Sequence, residues 1–189
     1  MTHLNLVKPP PLIDVPDTSY LQLLQKEFHK TFEIPINSST EEVYARLIEE
    51  EHEEWIEECF SENSNAYDEL KELTDLLYVT CGYAHQLGYN NIKPIKCNLK
   101  DDWDWAITEY VGDIAAGNKS KDTLAKLMYC IYGYADYMSW DIREAYIRVH
   151  RSNMTKLTAD GKVLRREDGK VLKSELYQPP ILTDLTGGL

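Results

Sequence analysis

The chain has 189 residues, 43% of them hydrophobic, which suits one domain with a real core plus short appendages. Its net charge is −12, unevenly spread: residues 1–140 carry 11 Lys and Arg against 25 Asp and Glu, while residues 141–189 carry 9 against 7. So acidic a body repels nucleic-acid backbones, which excludes a nucleic-acid polymer as the expected partner, and it suits a protein that gathers divalent cations.

Four prolines in residues 1–17 predict an extended arm, taken as 1–18. The stretch 19–31 places Leu21, Leu24 and Phe28 on one helical face, with Ser19 as its expected N-cap, and Ile34-Pro35 ends it. A second helix is expected over 38–60, capped by Ser39 or Thr40. After the loop 61–65, a third runs over 66–87 and stops at Gly88. Pro94 marks a connector, and helices are expected over 102–116 and 120–138, broken at Gly117-Asn118, then a short one over 141–150.

The tail, 158–189, reads differently. DGKVL occurs at 160–164 and again at 168–172, and Asp168-Gly169 between two short β-prone runs signals a hairpin. Pro179-Pro180 then leads to a Gly-rich, loose terminus. The expected fold is therefore all-α, a four-helix-bundle-like core over 19–157 with a short β-hairpin-like C-terminal tail.

Residues 76–90 (LLYVTCGYAHQLGYN) resemble 127–141 (LMYCIYGYADYMSWD) at a constant offset of 51. Two readings stand: a helical hairpin present twice, or two buried helices that both favour Leu, Tyr and Gly. At the same offset Glu72 and Asp75 become Thr123 and Lys126.

Cys59, Cys81, Cys97 and Cys130 show no Cys-x-x-Cys spacing, so no zinc site is implied, and the pattern fits a reducing compartment. The N-terminal segment has no basic start followed by an apolar run, and no stretch is long and apolar enough for a membrane span, so a cytoplasmic protein without a membrane partner is expected.

The chemistry sits in EEEHEEWIEE, residues 49–58. At 100° per residue Tyr44, Ile48, Trp55 and Cys59 form an apolar stripe, and Glu51 falls inside it. Glu54 and Glu50 lie off its edge. A carboxylate facing a core is costly unless a cation meets it. On the third helix Glu72 and Asp75 are three apart, as are Glu51 and Glu54, so each pair points one way from its helix. Two antiparallel helices can set such pairs face to face, and an all-oxygen ligand set favours Mg²⁺ or Mn²⁺. The competing reading is a solvated acidic face, since Glu is a good helix former.

The spacing Glu50-Glu51-x-x-Glu54 followed by Glu72-x-x-Asp75 resembles the all-α nucleoside triphosphate pyrophosphohydrolases, the MazG-like superfamily that includes phosphoribosyl-ATP pyrophosphohydrolase. FHKTFEIP (28–35), DLLYVTCGYAHQLG (75–88), VHRSNMTKL (149–157) and the tail DGKVLRREDGKVLKSELYQPP (160–180) resemble a phage and bacterial branch of it. Residues 93–137 depart from that branch, which runs almost directly from Leu-Gly to His-Arg-Ser-Asn; the extra hairpin is placed at about 102–138.

The resemblance implies Mg²⁺-dependent hydrolysis of a nucleoside triphosphate, deoxynucleoside by preference, to monophosphate and pyrophosphate. The alternatives are phosphoribosyl-ATP hydrolysis and a non-catalytic acidic helical scaffold. Two or three Mg²⁺ (or Mn²⁺) ions would be held by Glu51, Glu54, Glu72 and Asp75, with Glu50 orienting or deprotonating water. Exchange of the Glu50 and Glu51 roles stays open. Lys156, Asn153 and Arg151 would meet phosphates, and Gln25, Phe28 and His29 the base. A homo-oligomer in the cytoplasm, the host's if phage-encoded, is implied.

Overall fold

The computed structural model describes residues 18–97 and 102–186; the expected arm at 1–17 lies outside them. Six α-helices form the body: α1 Ser19–Thr31, α2 Ser38–Phe60, α3 Ala66–Gln86, α4 Trp103–Ala115, α5 Lys121–Tyr137 and α6 Ile142–Met154, with a 3₁₀ turn at Thr183–Leu185. α3 is the hub and packs against α1, α2, α5 and α6; α4 pairs with α5 and touches α2. The segment Leu76–Ala84 of α3 is buried at every residue, which is why its sequence is apolar all round instead of striped. None of the helices is long and apolar enough to cross a membrane.

The helix ends follow local chemistry. Asn37, not Ser39 or Thr40, caps α2: its Oδ1 accepts from the Thr40 N–H at 2.9 Å. Asn65 caps α3 by accepting from the Tyr67 and Asp68 N–H groups at 3.0 and 3.1 Å. Ser19 is the first residue of α1 and Thr18, which precedes it, makes no side-chain cap. At the end of α3 Gly88 takes φ +74°, and the Tyr89 N–H donates back to the Ala84 carbonyl at 2.9 Å.

The sixth helix runs four residues further than 150. The polar run Arg151-Ser152-Asn153 reads as a stop, but Ser152 and Asn153 are buried under the tail, and the Ser152 hydroxyl donates to the Gln178 carbonyl at 2.5 Å. The tail carries a hairpin-like turn without a strand. Among the described residues one isolated antiparallel bridge, Arg165–Val171, flanks the Asp168-Gly169 turn, where Gly169 takes φ +98°.

The tail is docked up to Asp184; the Gly-rich end at 187–189 lies outside the described residues. Arg148 donates to the Asp184 carboxylate at 2.5 and 2.9 Å, Tyr67 donates to the Pro180 carbonyl at 2.9 Å, and Leu182 is fully buried. The connector after α3 crosses the bundle in the same way: the Ile92 N–H donates to Gln22 Oε1 at 3.0 Å and the Ile95 N–H to the Ala125 carbonyl at 3.1 Å.

Candidate active site

The apolar stripe of α2 seats one carboxylate in the interface with α3. Ile48 and Trp55 are fully buried, and Glu51 between them is 8% exposed. Opposite, Glu72 and Asp75 stand one turn apart on α3. One carboxylate oxygen from each of Glu51, Glu72 and Asp75 lies within 4.8 Å of the others. Glu54, one turn further along α2, faces the same space, beside Glu51 and Asp75. Three oxygens this close repel one another unless cations intervene, and all-oxygen donors fit Mg²⁺ or Mn²⁺.

The electrostatics carry the same message. Burial, reinforced by Asp75, pushes the Glu51 carboxyl up to about 7. Burial also raises Glu72, whose Oε2 is buried with no hydrogen-bond partner. A buried carboxylate oxygen without a hydrogen-bond partner, on a residue of this acidic cluster, suits a cation ligand. Lys71 answers part of the charge: its ammonium donates to Glu72 at 2.6 Å and to Asp75 at 3.2 Å. Lys156 is also near Asp75 and Glu51, and burial lowers its pKa.

Glu50 sits differently. Its carboxylate accepts from Arg166 at 3.1 and 3.2 Å and from Lys170 at 3.0 Å, and the Arg166 hydrogen bonds hold it below the usual carboxylate range. It does not line the cavity described next, although Lys170 joins it to Glu51, where the same ammonium donates at 3.3 Å.

A cavity of about 910 Å³ opens over the cluster. Its polar end holds Glu51, Glu54 and Asp75 with Lys71, Lys156 and Lys170. Its other end is framed by the α1–α2 loop and the start of α2, with Ile34, Pro35, Val43 and Leu47 beside Asn37 and Thr40. An apolar recess with a few polar groups joined to a charged end suits a ligand with a flat ring at one end and phosphates at the other.

The residues expected at the site divide accordingly. Phe28, Asn153 and Lys156 line the cavity; Gln25, His29 and Arg151 do not. Gln25 is fully buried and donates to the Tyr78 carbonyl at 2.7 Å. His29 stacks on Tyr44 with ring centroids 5.1 Å apart, and Arg151 is exposed at the end of α6. Sequence reasoning missed Lys71, Arg165, Arg166, Lys170 and Tyr177. The excess of positive charge after residue 140 was the signal for three of these. The fold is what turns it onto α2.

Residues 25–100 match a family model described as phosphoribosyl-ATP pyrophosphohydrolase. No curated protein and no solved structure gives a significant match.

Proposed function

We propose, from the match of residues 25–100 to the phosphoribosyl-ATP pyrophosphohydrolase model, that this protein is a MazG-like all-α enzyme that hydrolyses a deoxynucleoside triphosphate to the monophosphate and pyrophosphate. The family match supports nucleotide pyrophosphohydrolase activity in general, on a phosphoanhydride bond. The observation that carries the finer reading is the cluster of Glu51, Glu72 and Asp75 oxygens within 4.8 Å of one another, of which Glu51 and Asp75 line the charged end of the cavity.

Glu51, Glu54, Glu72 and Asp75 would hold two or three Mg²⁺ ions, with Mn²⁺ as a substitute. Bound there, such ions neutralise phosphate charge and acidify water. The chain's own groups do the rest. Lys156 and Asn153 meet the phosphates from the end of α6, with Arg151 at the outer edge. Phe28 supports the base from the end of α1, while Gln25 and His29 hold that helix in place from behind. Glu50 orients the attacking water and takes its proton as the bond between the α and β phosphates breaks and pyrophosphate leaves. A low carboxylate pKa suits a group that must be ionised at neutral pH, although it makes a weak base.

The functional unit in this reading is 19–157 with the tail 158–189 closing over it. A role on nucleotide pools places it in the cytoplasm, as a homo-oligomer. The second reading, phosphoribosyl-ATP as substrate, is favoured by the description of the matching family. A panel of ribo- and deoxynucleoside triphosphates and phosphoribosyl-ATP, with Mg²⁺, separates them by pyrophosphate release. The expected result is release from deoxynucleoside triphosphates and its loss in Glu54→Gln. Pyrophosphate from phosphoribosyl-ATP alone would favour the second reading. None from any compound, with wild type equal to Glu54→Gln, would leave a non-catalytic acidic protein.

A further inference from the structure

The turn at Asp168-Gly169 delivers two cations to α2 and serves its two carboxylates unequally. Glu50 accepts two hydrogen bonds from Arg166, at 3.1 and 3.2 Å, besides one from Lys170 at 3.0 Å. Glu51 has Lys170 as its partner among the described residues, at the longer distance of 3.3 Å. Loss of Lys170 therefore leaves Glu50 paired and Glu51 without a hydrogen-bonded cation. Glu51 is the α2 carboxylate that converges with Glu72 and Asp75.

The backbone under Lys170 is fixed, and its side chain reaches from there to Glu50 and Glu51. The Lys170 N–H donates to Asp168 Oδ1 at 3.1 Å, its carbonyl accepts from the Arg166 N–H at 2.8 Å, and Val171 beside it is buried. Arg165 anchors the turn to the carbonyl of Phe32. A lysine stem is long and flexible, and Lys170 lines the cavity. A dication at Glu51 would repel a neighbouring ammonium, and a polyphosphate in the cavity would attract it.

We propose that Lys170 is an exchangeable counter-ion, which neutralises Glu51 in the metal-free protein, is displaced by the divalent cation, and then binds the substrate's polyphosphate. The metal half stands on the contacts above; the polyphosphate half rests on the function proposed above. Lys170 thus lowers affinity for metal alone and raises affinity for metal-bound nucleotide.

The test measures two affinities of Lys170→Met by calorimetry: Mn²⁺ without nucleotide, and an α,β-methylene deoxynucleoside triphosphate with Mg²⁺. Mn²⁺ should bind about tenfold tighter and the nucleotide analogue about tenfold weaker, a charge-assisted contact being lost in each case. Lys170→Arg should return both towards wild type. Lys170→Gln, with folding checked by circular dichroism, repeats the test if the Met variant misfolds. Mn²⁺ affinity unchanged or weakened overturns the proposal, as a merely structural lysine would give. An unchanged analogue affinity overturns the polyphosphate half. Failure of the enzyme reading shows separately, as no pyrophosphate from wild type, and leaves the Mn²⁺ comparison intact.

Discussion

Glu50 and Glu51 are neighbours with opposite environments, which fits the different tasks proposed for them. Glu51 points into the α2–α3 interface and its charge is opposed by burial; Glu50 is held ionised by Arg166. In the proposed reaction Glu50→Gln should lower kcat about 100-fold or more, with Mn²⁺ affinity unchanged. A normal kcat in that variant would reduce Glu50 to an anchor for the tail. His29 shows the same physics away from the site. Burial pushes its pKa down to about 4, with its Nδ1 hydrogen-bonded to the Gln25 carbonyl at 2.9 Å and His85 edge-on at 4.7 Å. The folded protein therefore resists protonating it, while an unfolded histidine protonates near 6.5. Its contribution is complete above pH 6.5 and is lost as pH falls towards 4, up to about 3 kcal/mol. Denaturant melts across that range should show a shallower decline for His29→Phe than for wild type; equal slopes would contradict the account.

The second helices of the two hairpins, α3 and α5, end alike, in a cap that α1 and α4 also show. At the offset of 51 the caps correspond bond for bond: Leu87 N–H to Tyr83 O matches Met138 N–H to Tyr134 O, and Tyr89 N–H to Ala84 O matches Trp140 N–H to Ala135 O. Gly82 lies under the Tyr44 ring and Gly133 under the Trp103 ring, each so close that a Cβ would stand 2.2 or 2.3 Å from it. The residue at the left-handed position differs between the two. Gly88 occupies a left-handed cap at φ +74°, where its counterpart Ser139 sits at φ +60°. Ser139→Gly should therefore stabilise the protein by about 1 kcal/mol, or about 3 °C in Tm, and a lowered Tm would count against the shared cap. α1 and α2 were legible to the residue because periodicity and flanking polar residues agree. α6 was not, because burial of Ser152 and Asn153 depends on a tail distant in sequence. Asn37 was passed over for Ser39 and Thr40, since residue type alone does not choose among adjacent capping residues.

For the whole molecule, the carboxylates were legible in the sequence and the cations largely were not. Carboxylate spacing is a property of two helices. The arrival of Lys170 and Arg166 at α2 depends on a chain reversal more than a hundred residues later, fixed by Arg165 on the Phe32 carbonyl just after α1 and by Arg148 on Asp184. The acidic body and the basic tail, distinct in composition, meet at one cavity. The central claim is that Glu51, Glu72 and Asp75 form a divalent-cation site. Mn²⁺ titration of wild type and of Asp75→Asn, followed by calorimetry with folding checked by circular dichroism, tests it most directly. Saturable binding by wild type, weakened at least tenfold in the variant, is the predicted result. Equal binding by the two proteins, or none by wild type, would contradict it.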